Sequence, residues 1–534
     1  MKKIFRTLAA VLTVAGLTAG ITAQTIDPAR KLLMAESVIE NYYVDRVNAD
    51  TIVQEAIVAM LKTLDPHSTY SDAAETKALT DPLNGKFSGI GIQFQLLNDT
   101  VYVIQTIANG PCERVGVLPG DRIVACNDTL LTGKSMANSV VQKHLRGAKG
   151  SVANLKVVRR SEPDTLHFRV IRDDIPLYTV DAAYMAAPGV GYVKVSSFGA
   201  ETPKEFSKAI SSLQKQGMIH LMIDLQDNGG GYLQSAVDLA SYFLPAGSTV
   251  VYTEGLNQPV KYFRAANGYP MTQPRIVVLT NEYSASASEI LTGAIQDNDR
   301  GVVVGRRTFG KGLVQRPIPF PDGSMIRLTT ARYYTPSGRC IQKPYAKGKG
   351  EDYSHDLDER YKHGEFSSAD SIHLDKSHPY HTLKLGRSVY GGGGIMPDVF
   401  VPIDTTGFNK FYREVRAKNV LNQFVASYVE KNRDQLKRAY PKEDTFVEKF
   451  TVSDQLYADF VADAKNYGVE GSAAEIAESR SLLAPMLAGL MGRDLFEQRT
   501  YYRMANNVNP VYREALRMIT NSESYNTILS SSAK

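Results

Sequence analysis

Ile276-Val-Val-Leu-Thr-Asn-Glu-Tyr-Ser-Ala-Ser-Ala-Ser-Glu-Ile-Leu-Thr-Gly-Ala-Ile-Gln-Asp297 reads as a strand running into a helix. Ile276–Leu279 is a short, continuous apolar run of the kind a fully buried strand shows, and a helical pattern leaves the serine-rich turn that follows. One of those serines therefore sits where backbone amides are free and the helix dipole is positive. A nucleophile placed there has the next amide at hand to stabilise an oxyanion. Ser286-Ala-Ser-Glu289 also fits the Ser-x-x-Glu capping box, and on local sequence alone Ser286 reads first as a helix cap. On both sides the same alternation continues. From Val190 to about Pro402, runs such as Ile219–Leu225 and Val302–Val304 alternate with helical patterns, which implies an α/β core with a partly parallel sheet.

Arg307-Thr-Phe-Gly-Lys-Gly-Leu-Val-Gln315 lies between strand-like segments, and in an extended chain Lys311 and Gln315 point to one face. A lysine desolvated between Gly310 and Gly312 has a lowered pKa and becomes a usable base, with Gln315 placed to orient its amine. A solvated lysine on a Gly-Lys-Gly loop is the plain alternative. The phosphate-loop spacing is absent. Leu221-Met-Ile-Asp-Leu-Gln-Asp-Asn-Gly-Gly-Gly-Tyr232 reads as a buried strand ending in a Gly-rich turn, where another backbone can approach and amides can be presented. Five of the nine histidines (His355, His363, His373, His378, His381) fall in a polar stretch at 343–394, with Asp356, Asp358 and Asp375. No pair there has the compact spacing of an established metal site, and the stretch reads as a solvated surface loop. His67, after a turn signal, reads as a local hydrogen-bonding residue. Asp297 lies about 16 Å along a continuous helix from Ser286, too far for contact, and reads as structural.

Toward the N-terminus, apolar residues recur at helical spacing from Pro28 to about Ala78, broken at Asp65-Pro66. From Lys86 to about Arg172 the pattern is strand-like, punctuated by Asn109-Gly-Pro111 and Leu118-Pro-Gly-Asp121. Residues beyond Asp404 read as mostly helical. Lys2, Lys3 and Arg6 precede Leu8–Ala23, a run without charge, as in a secretory signal peptide cut near Ala23. Sixteen residues diluted by Thr and Gly fall short of the roughly 20 that an uncleaved anchor needs. With 534 residues, 43% hydrophobic and 22% charged, the chain is globular and built of several units. A net charge of +5, three of it in the leader, gives no reason to expect nucleic acid as a partner. Three cysteines (Cys112, Cys126, Cys340) cannot form a disulfide framework; Cys112 and Cys126 are either a pair or small buried thiols.

Taken together, residues 35–404 resemble the C-terminal processing, or tail-specific, serine peptidases. The resemblance rests on Tyr42-Tyr-Val-Asp45, Leu64-Asp-Pro-His-Ser-Thr-Tyr70 and Phe87-Ser-Gly-Ile-Gly-Ile92. It continues through Asp224 with Asn228-Gly-Gly-Gly231, Ser284-Ala-Ser-Ala-Ser-Glu-Ile290 and Phe309-Gly-Lys-Gly-Leu-Val-Gln315. The order of these runs and the 25-residue spacing from Ser286 to Lys311 make it specific. It implies Ser286 as nucleophile, Lys311 as general base, Gln315 as the residue orienting Lys311, and an oxyanion hole from the Ala287 amide and Gly230, give or take one residue. Serine–lysine catalysis needs no histidine and no cofactor or metal. The family usually has Arg where this chain has Gln226.

Residues 84–173 resemble a PDZ domain, followed at the expected distance by Val115-Gly-Val-Leu-Pro-Gly-Asp-Arg-Ile123. Its Gly89-Ile90-Gly91-Ile92 loop would grip a chain's terminal carboxylate while the peptide adds as a strand. The implied organisation is a signal peptide (1–23), an N-terminal helical region (24–83), the PDZ domain (84–173), a protease core (174–404, with the 343–394 insertion) and a helical C-terminal extension (405–534). The fold class is thus a multidomain α/β protease core with N-terminal helices, an inserted PDZ-like β domain and a helical C-terminal extension. The expectation is an exported, most simply periplasmic, serine endopeptidase acting on protein or peptide C-termini. By analogy it assembles as a homo-oligomer. The alternative is a non-catalytic PDZ-containing adaptor that binds exported tails.

Overall fold

The computed structural model describes residues 27–97, 99–133, 136–160, 162–266, 271, 274–373 and 379–530. The leader at 1–23, Asp375 and His378 lie outside the described residues. At the centre is a six-stranded sheet in the order Val180–Ala187, Val190–Val195, His220–Asp224, Ile276–Thr280, Val302–Gly305, Val399–Phe400. Its first pair is antiparallel and the other four pairings are parallel. The inner strands are apolar on both faces because both faces are covered, as parallel strands require. Helices Thr202–Lys215, Leu233–Ala240 and Ala287–Asp297 pack on one face through Phe206, Leu239, Ile290 and Leu291. The other face is covered by the chain's last helices, Pro510–Thr520 and Ser522–Ser530, whose Tyr512, Ala515, Ile519 and Tyr525 lie against Tyr192, Met222 and Val277. The C-terminal helices are therefore the third layer of the core.

A second sheet is organised around the long strand Met325–Tyr334. Thr69–Ser71 and Thr249–Gly255 pair along one side of it and Leu313–Pro319 along the other. The first of these pairings ties the N-terminal segment to the core across more than 250 residues of sequence. Ahead of it stand the helices Pro28–Tyr42 and Ala49–Lys62; the former buries none of its residues.

The β-rich unit is an antiparallel sheet (Ile92–Leu97, Thr100–Thr106, Arg122–Cys126, Val152–Val158, Leu166–Ile171) with its own core of Ile90, Val103, Ile123, Leu155 and Val170. Lys86–Gly89 pairs with Asp173–Pro176, so the chain enters and leaves this unit through one two-stranded stem. Cys112 and Cys126 are buried free thiols, and burial pushes Cys112 up to about 12. A helical bundle built on Phe411, Val425, Phe446, Phe460 and Leu487 follows the core. It docks on the β-rich unit, where Ala426 meets Leu97, Tyr102 and Ile104, and Arg122 pairs with Glu430 at 2.9 Å.

The 343–394 stretch differs from a merely solvated loop. Buried Arg360 donates to the carbonyls of Arg307 and Thr308, and Arg387 pairs with Asp299 and Asp398. These hydrogen bonds and ion pairs, with buried Tyr353, Phe366 and Val389, hold an otherwise polar segment down. Among the described residues no group of three or more His, Cys, Asp or Glu is placed to hold a metal. No helix of the described residues is long and apolar enough to cross a membrane.

Candidate active site

Strand Ile276–Thr280 delivers the chain to Ser286, which caps helix Ala287–Asp297 at φ +57°, ψ −113°. A non-glycine residue in that region is strained, and the strain persists only because surrounding bonds over-determine it. Here the Ser284 hydroxyl donates to Leu225 O at 2.7 Å, and the Ala285 amide and Ser288 hydroxyl donate to Asn228 O at 2.9 and 2.8 Å. The helix N-terminus leaves the Ala287 amide without an intrahelical acceptor, beside the serine. A sharp strand-to-helix turn of this kind presents the nucleophilic serine in α/β-hydrolases.

A cavity of about 540 Å³ brings together Ser286, Lys311 and Gln315 with Gly229, Gly230 and Gly231. Residues from three separated runs thus share one wall. Lys311 is partly buried, and its ammonium pKa is lowered, first by burial and then by Arg327, against the opposing pull of Glu289 and Asp65. The shift is toward the neutral amine, the form a general base uses. The simple same-face reading of Lys311 and Gln315 is modified: Lys311 precedes strand Leu313–Pro319, and the register slips between Val314 and Gln315. Both side chains nevertheless reach the cavity. The Gln315 amide nitrogen donates to Leu313 O at 3.1 Å and Thr329 Oγ1 at 3.3 Å.

Gly230 sits at φ +101°, and a Cβ there would fall 2.7 Å from both Ala285 O and Ser286 Cβ, so only glycine fits this close to the nucleophile. Its own amide is donated to Asn228 Oδ1 at 2.8 Å. A carbonyl oxyanion must compete with Asn228 for that hydrogen or use a neighbouring glycine amide. Asp224, at the start of this loop, accepts from Tyr192 Oη at 2.6 Å, Lys194 Nζ at 3.2 Å and the Gln226 amide at 2.8 Å. Lys194 thus supplies a buried cation here, and Gln226 ties its own side chain to Asp224 at 3.2 Å. Asp297 is bound to Arg339 at 2.7 Å and to Ser337, far from Ser286, in a structural role.

Two site residues were not legible in the sequence. Glu289 is fully buried and accepts from the Ser286 amide (2.8 Å), Thr308 Oγ1 (2.5 Å), the Gly310 amide (2.7 Å) and the Lys311 amide (2.8 Å). One carboxylate therefore clamps the serine turn to the lysine loop; burial raises its pKa and those four donors oppose the rise. The Ser-x-x-Glu pattern marked it only as a capping partner. Tyr333 is also fully buried, and its hydroxyl bridges Ser286 O and Lys311 O. His67 is not a local bonder through its ring: Nε2 lies 3.0 Å from Tyr353 Oη, in the 343–394 stretch, and burial, then Lys311, lowers its pKa to about 4.

In the β-rich unit, Ile90, Gly91 and Ile92 line a separate cavity of about 330 Å³ with Phe87, Phe94 and Leu145. Gly91 takes φ +76° at the turn between the stem and the sheet, 3.0 Å from Pro111 in the space a Cβ would need. Gly89 ends the stem strand that leads into it.

The chain is of the class of PDZ-bearing serine peptidases, as its relatives show. The chain belongs to peptidase family S41: residues 189–352 match that family, 88–170 match the PDZ domain, and 411–497 match a family of unknown function. It is 35% identical over 316 residues to the carboxy-terminal processing protease CtpB of Bacillus subtilis, covering 59% of this chain and 65% of that one. To CtpA of the same organism it is 31% identical over 344 residues, covering 63% and 73%. The match thus spans just under two thirds of CtpB and rather more of CtpA. Among solved structures, the photosystem II D1 C-terminal processing protease is 28% identical with a TM-score of 0.33, over 59% of this chain and 91% of that one.

Proposed function

We propose that this protein is an exported serine endopeptidase that captures protein C-termini on its PDZ domain and cleaves them with a Ser286–Lys311 dyad. The observation that carries the reading is the shared cavity, in which a strained serine and a partly buried lysine meet beside a glycine turn. The terminal carboxylate of a substrate docks on the loop amides of Gly89-Ile90-Gly91-Ile92 and its last apolar side chain enters the adjoining cavity. Ser286 Oγ attacks the scissile carbonyl while the neutral Lys311 amine takes its proton. The oxyanion faces the Ala287 amide and the glycine turn. Collapse breaks the C–N bond, and the proton on Lys311 passes to the leaving amine. Water then adds to the Ser286 ester with Lys311 again as base, releasing the new carboxyl terminus and restoring the hydroxyl. No step needs a metal or organic cofactor. The basic, apolar leader supports export, with the periplasm as the destination.

The test is cleavage of an unstructured protein with an apolar C-terminus, across pH, with and without chelator. The expected rate rises through a lowered lysine pKa, resists chelator, and is abolished by Ser286→Ala and by Lys311→Ala with tail binding retained. Tail binding without cleavage by the wild type would instead describe an adaptor.

A further inference from the structure

Behind Gln315, side chains from three distant parts of the chain meet. Asp65 stands at the break between helix Ala49–Lys62 and strand Thr69–Ser71, and is only 9% exposed. It accepts from the His67 amide (2.8 Å), the Ser68 amide (3.0 Å), Ser68 Oγ (2.6 Å) and Thr329 Oγ1 (3.0 Å). Ser68 Oγ in turn accepts from the Thr329 amide at 3.1 Å. The pairing of Thr69–Ser71 with the strand Met325–Tyr334 is what brings these groups together.

The chemistry of the donors then sets a direction. An ionised carboxylate only accepts, so the Thr329 hydroxyl hydrogen is committed to Asp65 and its lone pairs face outward. Toward those lone pairs Gln315 must turn a donor, and it does, through Nε2 at 3.3 Å. The second hydrogen of that nitrogen goes to Leu313 O at 3.1 Å. With both donors committed, Oε1 is the end of the amide left for the cavity that Lys311 shares. An amide oxygen accepts from a lysine amine or ammonium, whereas a reversed amide would set hydrogens against hydrogens.

We infer that Asp65 and Thr329 are positioning residues: they fix the Gln315 amide so that its oxygen, not its nitrogen, meets Lys311. This rests on Lys311 being the general base. It makes the Leu64-Asp-Pro-His-Ser segment, which precedes the whole PDZ domain in sequence, a working part of the protease site. The charged groups acting on Lys311 are Arg327 from the strand Met325–Tyr334, Glu289 from the nucleophile helix and Asp65 from this segment, while Lys311 and Lys343 both act on the neighbouring His67. Asp65→Asn therefore changes both polarity and charge, whereas Thr329→Val changes polarity alone.

The experiment uses the full chain and a synthetic unstructured peptide ending in apolar residues, with rates taken from about pH 5 to about pH 10 to bracket the lysine. Thr329→Val should lower kcat roughly 10- to 100-fold with KM within about twofold, and Thr329→Ser should bring the rate back to within about threefold of wild type. Asp65→Asn should lose as much and move the acid limb to lower pH, because a charge favouring the ammonium form has gone. A folded Thr329→Val enzyme with wild-type kcat and pH profile overturns the inference, and the Val/Ser pair decides even if Asp65→Asn fails to fold. Lys311→Ala separates the two levels. If it still cleaves, the dyad itself is wrong; if it is dead while Thr329→Val is unimpaired, only the positioning role falls.

Discussion

At the residue scale, the candidate site holds two locally unfavourable features. Lys311 is held where its ammonium is poorly solvated, and Ser286 is held at a backbone angle that serine avoids. Replacing Lys311 by methionine keeps the stem and removes the buried charge, so Lys311→Met should end cleavage while raising resistance to urea. The folded pKa of Lys311 lies below its unfolded value near 10.4, so the unfolded chain binds more protons over the window between them, and wild-type stability climbs with pH through it. The advantage of Lys311→Met is therefore greatest below the lowered pKa and shrinks as pH rises toward about 10.4. Urea midpoints of the two proteins at several pH values check the sign. Sequence singled out Ser286, Lys311 and Gln315 as candidates through the order and spacing of runs that resemble a known peptidase family. It could not identify Glu289 as a clamp, since three of its four donors are backbone amides or a threonine that only the fold brings within reach.

At the scale of elements, the serine-bearing strand is fixed at both ends. Its carboxyl end is bonded into the Asn228 turn, and its start is gripped by Tyr525, whose hydroxyl donates to Ile276 O and accepts from the Ile276 amide, both at 3.1 Å. Both bonds are buried, so Tyr525→Phe should cost about 1–3 kcal/mol in chemical denaturation. Cleavage at 25 °C should change little, because the bonds lie at the end of the strand opposite Ser286. A large loss of kcat with unchanged stability would contradict this view of the strand as a rigid support. The alternation of apolar runs and helical patterns made these strands readable, since buried parallel strands must be apolar throughout. The helices that cover their far face are legible in the sequence as helices but not in their placement, because amphipathic spacing says that a face is buried and not against what.

For the whole molecule, the apolar sheet face beneath Tyr512, Ala515 and Ile519 is covered, among the described residues, chiefly by helices Pro510–Thr520 and Ser522–Ser530, with Tyr502 at its edge. A protein ending at Asn506 should therefore expose that face, aggregate on expression and show no cleavage. Residues 84–176 expressed alone should give a cooperative melt, since that unit has its own core and a paired stem; soluble, active protein after the truncation would show that the last helices are an accessory. By itself the sequence indicated the α/β core, a β-rich unit ahead of it and the helical character of the C-terminal region, and through its resemblance to a known family it named the PDZ unit and the candidate Ser, Lys and Gln. Periodicity carries the first three within a few residues of each position, and the order and spacing of motifs along the chain carry the rest. Only the tertiary structure decided that Asp65 sits behind Gln315, that His67 bonds Tyr353, that Gly230 gives its amide to Asn228, and that the C-terminal helices complete the core. Apart from the Gly230–Asn228 bond, which is local but set by the bonding of the Asn228 turn to the serine turn, these depend on strand pairings or packing between segments roughly 250 or more residues apart, and loop closure over such distances is set by the sum of all contacts rather than by any local pattern.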